Sequence, residues 1–141
     1  MSANSAIYLP CKGVDLRDIF GADAKVHAGS EDSIEAFKVK IGGDDCIFNI
    51  LPENEIAKHV AGFKFYISSL EETEERKGDA RMAVEQAETI LGLVVDSEFE
   101  DNPEIWQSLF KIADFYNGYI FVHDSLLLPN GGVIIGPLRH Q

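Results

Sequence analysis

The chain of 141 residues reads as a single α/β or α+β domain: a mixed β-sheet of five to seven strands, two or three covering helices and two hairpins. Three observations lead there. Apolar residues make up 45% of the sequence, the share of a chain that buries a real core rather than a disordered one. Two pairs of short apolar runs bracket Gly-containing turns, which is hairpin chemistry. From residue 63 onward, strand-like and helix-like patterns alternate as in crossover units, which lay parallel strands side by side. Hairpins add antiparallel strands, so the sheet is expected to be mixed. No repeat or long linker divides residues 1–141.

Each element has a local reason. Ala6–Leu9 is a short strand stopped by Pro10. Val14–Phe20 supplies one or two helical turns closed by Gly21. In Ile34–Ile41, Phe37, Val39 and Ile41 alternate with Lys38 and Lys40, a half-buried strand. Gly42-Gly-Asp-Asp45 turns it back into Cys46–Leu51. Pro52-Glu-Asn-Glu55 opens a helix, since Pro suits the first turn and acids suit the positive end of the dipole. Its end has two readings. A stripe of Ile56, Val60, Phe63, Ile67 and Leu70 would carry it to residue 70. A stop at Gly62 would instead make Phe63–Ser68 a strand, which the aromatic and β-branched content favours.

Glu71–Gly78 reads as an acidic loop, Asp79–Leu91 as a helix and Gly92–Val95 as a buried strand. Asn102-Pro-Glu104 opens a helix with the stripe Ile105, Leu109, Ile112, Ala113 and Tyr116, and Asn117-Gly118 stops it. Tyr119–His123 is a strand. Leu126–Leu128 and Val133–Ile135 close the chain as a hairpin around Pro129-Asn-Gly-Gly132.

The formal charge is −12, from 24 acids and 12 bases. Nucleic acid and anionic membranes are therefore disfavoured, since phosphate binding needs clustered Lys and Arg. The charge is local. Residues 71–104 hold twelve acids and three bases, a net of −9. Two clusters dominate: Glu71, Glu72, Glu74 and Glu75 before the helix, and Asp96, Glu98, Glu100 and Asp101 after the strand. Phe99 inside the second is a candidate aromatic anchor for a partner. The expectation is a docking surface for a basic protein partner, with the clusters near opposite ends of the helix between them. The competing reading is a solvated face that keeps the chain soluble.

Motifs for catalysis or metal binding are absent. There is no His-x-x-x-His, Cys-x-x-Cys, Gly-x-Ser-x-Gly, phosphate loop or dinucleotide fingerprint, so no cofactor or metal is expected. The acids at 96–101 lack the Gly and closing Glu of a calcium loop. His123-Asp124-Ser125 has the residue types of a hydrolytic triad, but sequence neighbours on a strand point to opposite faces. An enzyme with a site at strand ends near Asp96 and His123 is the alternative reading. A third is self-association using the Leu126–Leu128 hairpin as an edge, so monomer and homodimer both stay open. Cys11 and Cys46 are too few for a disulfide framework. The N-terminus lacks a signal-peptide pattern, and no apolar run would span a membrane, so a cytoplasmic protein is expected.

Four stretches carry a family resemblance: Ile90-Leu-Gly-Leu-Val-Val-Asp96, Pro103-Glu-Ile-Trp106, Ile112-Ala-Asp-Phe-Tyr-Asn-Gly-Tyr-Ile-Phe-Val122 and Leu128-Pro-Asn-Gly131. Over residues 50–136 their hydrophobic pattern and turns resemble small acidic bacterial immunity proteins of interbacterial toxin systems. The resemblance implies a soluble cytoplasmic protein that binds and occludes a basic toxin domain. It carries over no functional residue.

Overall fold

The computed structural model describes residues 5–28, 34–95 and 102–137. Strands β1 (Ser5–Leu9), β2 (Ala24–Ala28), β3 (Ile34–Ile41), β4 (Asp44–Ile50), β5 (Thr89–Val94), β6 (Tyr119–Val122), β7 (Ser125–Leu127) and β8 (Val133–Ile135) form one sheet. Helices α1 (Arg17–Phe20), α2 (Glu53–Ser68), α3 (Glu74–Glu85) and α4 (Pro103–Tyr116) complete the fold. The strand order is β2-β3-β4-β5-β1-β6-β7-β8, and every neighbouring pair is antiparallel. The class is α+β. The expected mixed sheet is corrected to an antiparallel one of eight strands, with four helices.

The correction has an identifiable cause. β5, α4 and β6 do form a crossover, and the two strands run in the same direction. They are not neighbours, because β1 inserts between them and is antiparallel to both. Local pattern reveals the crossover but not the N-terminal strand that enters the gap. β2 was missed for another reason: Ala24-Lys-Val-His-Ala28 alternates over only five residues with small apolar ends, and only Ala24 is buried.

Alternation along the strands builds two cores. Ile7, Leu9, Phe37, Val39, Cys46, Phe48, Leu91, Leu93, Ile120 and Val122 meet Ile105, Leu109, Ile112 and Ala113 of α4 on one face. On the other, Tyr8, Ile90, Leu126 and Ile135 meet Ile67 of α2 and Ala80, Ala83 and Val84 of α3. No described residue of β2, β3 or β4 belongs to the second core. That layer therefore covers only the β5-to-β8 half of the sheet.

Residues 63–68 are helical, which corrects the favoured strand reading. The apolar stripe prevailed over aromatic β-propensity, because Phe63 and Tyr66 pack against Phe121 of β6 at centroid distances of 4.8 and 6.0 Å. Phe65, inward in the strand reading, is 80% exposed. The acidic loop ends early as well. Thr73 caps α3 by accepting the Arg76 N–H at 3.2 Å, so the helix starts at Glu74, as the positive helix end favours. It stops at Glu85 because Thr89–Leu91 pair with β1.

Left-handed backbone marks two of the connections. His123 and Asp124 have φ of 49° and 62°, the left-handed pair that a two-residue hairpin requires, and they join β6 to β7. Asn117 at φ 57° ends α4. Gly118 then lies so close to Tyr8 O and Leu9 that a Cβ would overlap them.

Candidate functional site

Pairing places the charged loops. Leu93 of β5 faces Ser5 of β1, Ala6 faces Phe121 of β6, and Val122 faces Ser125 of β7. The exit of β5, the start of β1 and the His123-Asp124 turn therefore share one end of the sheet. α3 starts there too: the Glu72 carboxylate accepts the Gly136 N–H at 3.2 Å, and Gly136 lies tight against Asp124 and Ser125. α3 runs away from this end and β5 returns to it.

Asp96, Glu98, Phe99, Glu100 and Asp101 lie outside the described residues. The residues that bracket them, Val95 and Asn102, are at the same end. Val94 pairs with Ile47 beside the β3–β4 turn. Asn102 Nδ2 donates to Ile41 O at 2.8 Å and to Asp44 Oδ2 at 2.7 Å, while its Oδ1 caps α4 by accepting the Glu104 N–H at 3.2 Å. The expectation that the acidic segments lie near opposite ends of a helix falls partly outside the described residues. Among the described residues, α3 starts, and β5 ends at Val94, at the same end of the sheet, because an antiparallel return follows the helix. Across the sheet β5 and β7 are three strand spacings apart, roughly 14 Å.

The four described acids have different local duties. Glu72 is half-buried on the Gly136 N–H. Glu74 is exposed and lies 3.8 Å from Lys77 Nζ and 3.9 Å from Arg81 Nη2, contacts too long and too wet to hold it tightly. Lys77 itself is buried and donates to Ser68 O at 3.0 Å. Glu71 and Glu75 are exposed. Sequence reasoning missed Asp124, which the hairpin turn brings beside Glu71 and Glu72. These three carboxyl groups share a hollow of about 560 Å³ with Tyr66, Leu70, Gly136 and Pro137. Burial, with the Asp124 charge added, raises the Tyr66 phenol above its ordinary pKa. Among the described residues no group of three His, Cys, Asp or Glu is arranged to hold a metal ion.

Beside the acids runs a groove of about 660 Å³ between α3 and the β7–β8 hairpin. Glu75, Arg76 and Asp79 rim it; Met82, Tyr119, Leu128, Val133 and Ile134 give it an apolar floor. Met82 is 61% exposed. Leu126 and Leu127 are buried, and β7 is paired on both sides, so the edge that this hairpin presents is β8.

Of the catalytic candidates, Asp96 lies outside the described residues, while His123 and Cys46 are placed. His123 is a turn residue whose ring sits 5.6 Å from the Trp106 ring. Cys46 is fully buried, and burial, helped by Asp44 and Asp45, pushes its thiol up to about 11. A thiol so protonated is a poor nucleophile at neutral pH. The other polar pair of note is Tyr8 and His59, with the phenol oxygen 2.9 Å from His59 Nε2. Burial raises the Tyr8 phenol and lowers the His59 imidazole. Burial thus favours the neutral form of both, and the imidazole tautomer decides which of the two donates.

Comparison with protein-family models, with curated proteins and with solved structures found no match. No helix among the described residues is long and apolar enough to cross a membrane.

Proposed function

We propose that this chain is a non-enzymatic acidic binding protein that engages a basic protein domain, in the manner of an immunity or inhibitor protein that occludes its target. One observation carries the reading: Glu71, Glu72 and Asp124 gather at the sheet end where both residues flanking the second acidic segment also lie. Convergent charge of one sign at one end of a small domain steers an oppositely charged partner. The groove floored by Met82 and Leu128 adds apolar contact beside it, and apolar anchors supply most of the affinity in such interfaces.

The test is affinity capture at low salt with the wild-type chain and with a Glu71→Lys, Glu75→Lys, Asp124→Asn variant. Asn keeps the left-handed turn conformation available. The expected result is a basic protein retained by the wild type and lost by the variant, with both chains equally stable. Retention of the same protein by both would count against the acidic end as the binding surface.

A further inference from the structure

A second charged surface lies on the sheet half that α2 and α3 leave uncovered. Lys25 of β2 and Lys38 of β3 are register partners, so they project side by side from that face. Lys40 follows two residues along and faces Asp45 of β4. All three lysines are exposed. Among the described residues none of the three makes an ion pair. Like charges placed directly opposite on a sheet oppose folding. In a chain with twice as many acids as bases, the cheapest sequence would put a carboxylate at one of these positions. Instead, among the described residues of these three strands, the face keeps three lysines against Asp45.

The lysine row sits beside a sheet edge. β2 is the terminal strand of the described sheet, with Lys25, Val26, His27 and Ala28 exposed. Such an edge offers unpaired backbone groups to an added strand. The residue of an added strand that comes opposite Lys25 would extend the row of Lys25 and Lys38 by one position. Every second residue of that strand would share their face.

We infer that β2 and the Lys25–Lys38 row form a docking edge for an extended acidic protein segment, one that adds as a ninth strand with carboxylates at alternate positions. Charge selects this occupant over the others. A second copy pairing β2 with β2 would bring Lys25 and His27 against their own kind. A long nucleic acid would have to tolerate the rest of a −12 chain, whereas a short acidic strand meets only the lysine face. The inference stands on β2 and β3 rather than on Glu71, Glu72, Glu75 and Asp124, and it does not depend on those acids binding a basic protein.

The probe is a fluorescent peptide of about seven residues alternating Glu and Thr, the length of an ordinary strand. Its controls are the Gln-for-Glu peptide and the same acidic peptide with Pro at alternate positions, which cannot add to a sheet. Anisotropy at low salt should show the acidic peptide bound and both controls unbound, with slowed amide exchange in β2. A Lys25→Gln, Lys38→Gln variant should weaken binding about fivefold, from the loss of one directly opposite charge pair at Lys25 and of the Lys38 charge one strand further in. Its melting temperature should be no lower than that of the wild type, because the variant relieves a repulsion. Equal binding by either control, an unchanged affinity in the variant, or no binding at all would overturn the inference. Tighter binding by a short oligothymidylate of equal charge would overturn it in favour of nucleic acid.

Discussion

Asn102→Ala tests how the acidic end is held together. Asn102 is 5% exposed and ties the start of α4 to the β3–β4 turn through Ile41 O and Asp44 Oδ2, while capping α4 at Glu104 N–H. The cap is worth about 1 kcal/mol. The bond to the Asp44 carboxylate contributes about 1.5 kcal/mol and the one to the Ile41 carbonyl about 1 kcal/mol. Together they give about 3 kcal/mol, allowing for their sharing one side chain. For a domain of this size that lowers Tm by about 10 °C. Asn102→Ser keeps a capping oxygen and loses the tie, so it should fall about two-thirds as far. Urea denaturation of the three proteins measures both. A loss under about 1 kcal/mol for the alanine variant, or equal losses for alanine and serine, would refute the assignment of these roles.

Three further outcomes rest on the same geometry. His59 has a folded pKa below its unfolded value, so the unfolded chain binds more protons as the pH falls through about 6.5. Its contribution is complete above that pH and is lost as the pH drops toward the folded pKa; a His59→Gln variant should flatten this part of a stability-against-pH curve. Cys11 should react with a thiol reagent well before Cys46, because Cys46 is buried and its thiol is raised to about 11; equal rates in the folded protein would contradict the packing of β4. Gly118→Ala should cost more than about 2 kcal/mol, since the added Cβ would overlap Tyr8 O where α4 meets the central strand; a neutral effect by urea denaturation would show that the contact gives way.

What sequence could reveal was set by the range of the signal. The Ile34–Ile41 and Cys46–Leu51 hairpin, the α4 stripe and its Asn117 stop are local patterns, and the structure has them. The insertion of β1 between β5 and β6 is a long-range event that no window of residues records. The α2 ambiguity lay between two local signals, and a tertiary contact with Phe121 decided it. The same division holds for the site. The acids were legible as a count, but that Glu72 and the Val95 exit share one end depends on α3 and β5 running in opposite directions. Asp124 joined them only because His123-Asp124 is a turn rather than the end of a strand.

Steering of a basic protein by the acidic end, as proposed above, fixes how association depends on salt. Its most direct test is the association rate of the captured partner by stopped flow across ionic strength, for the wild type and for the Glu71→Lys, Glu75→Lys, Asp124→Asn variant. Screening should slow the wild type steeply as salt rises, and the variant should start slower with a shallower dependence. Rates that coincide at every salt concentration would contradict the claim.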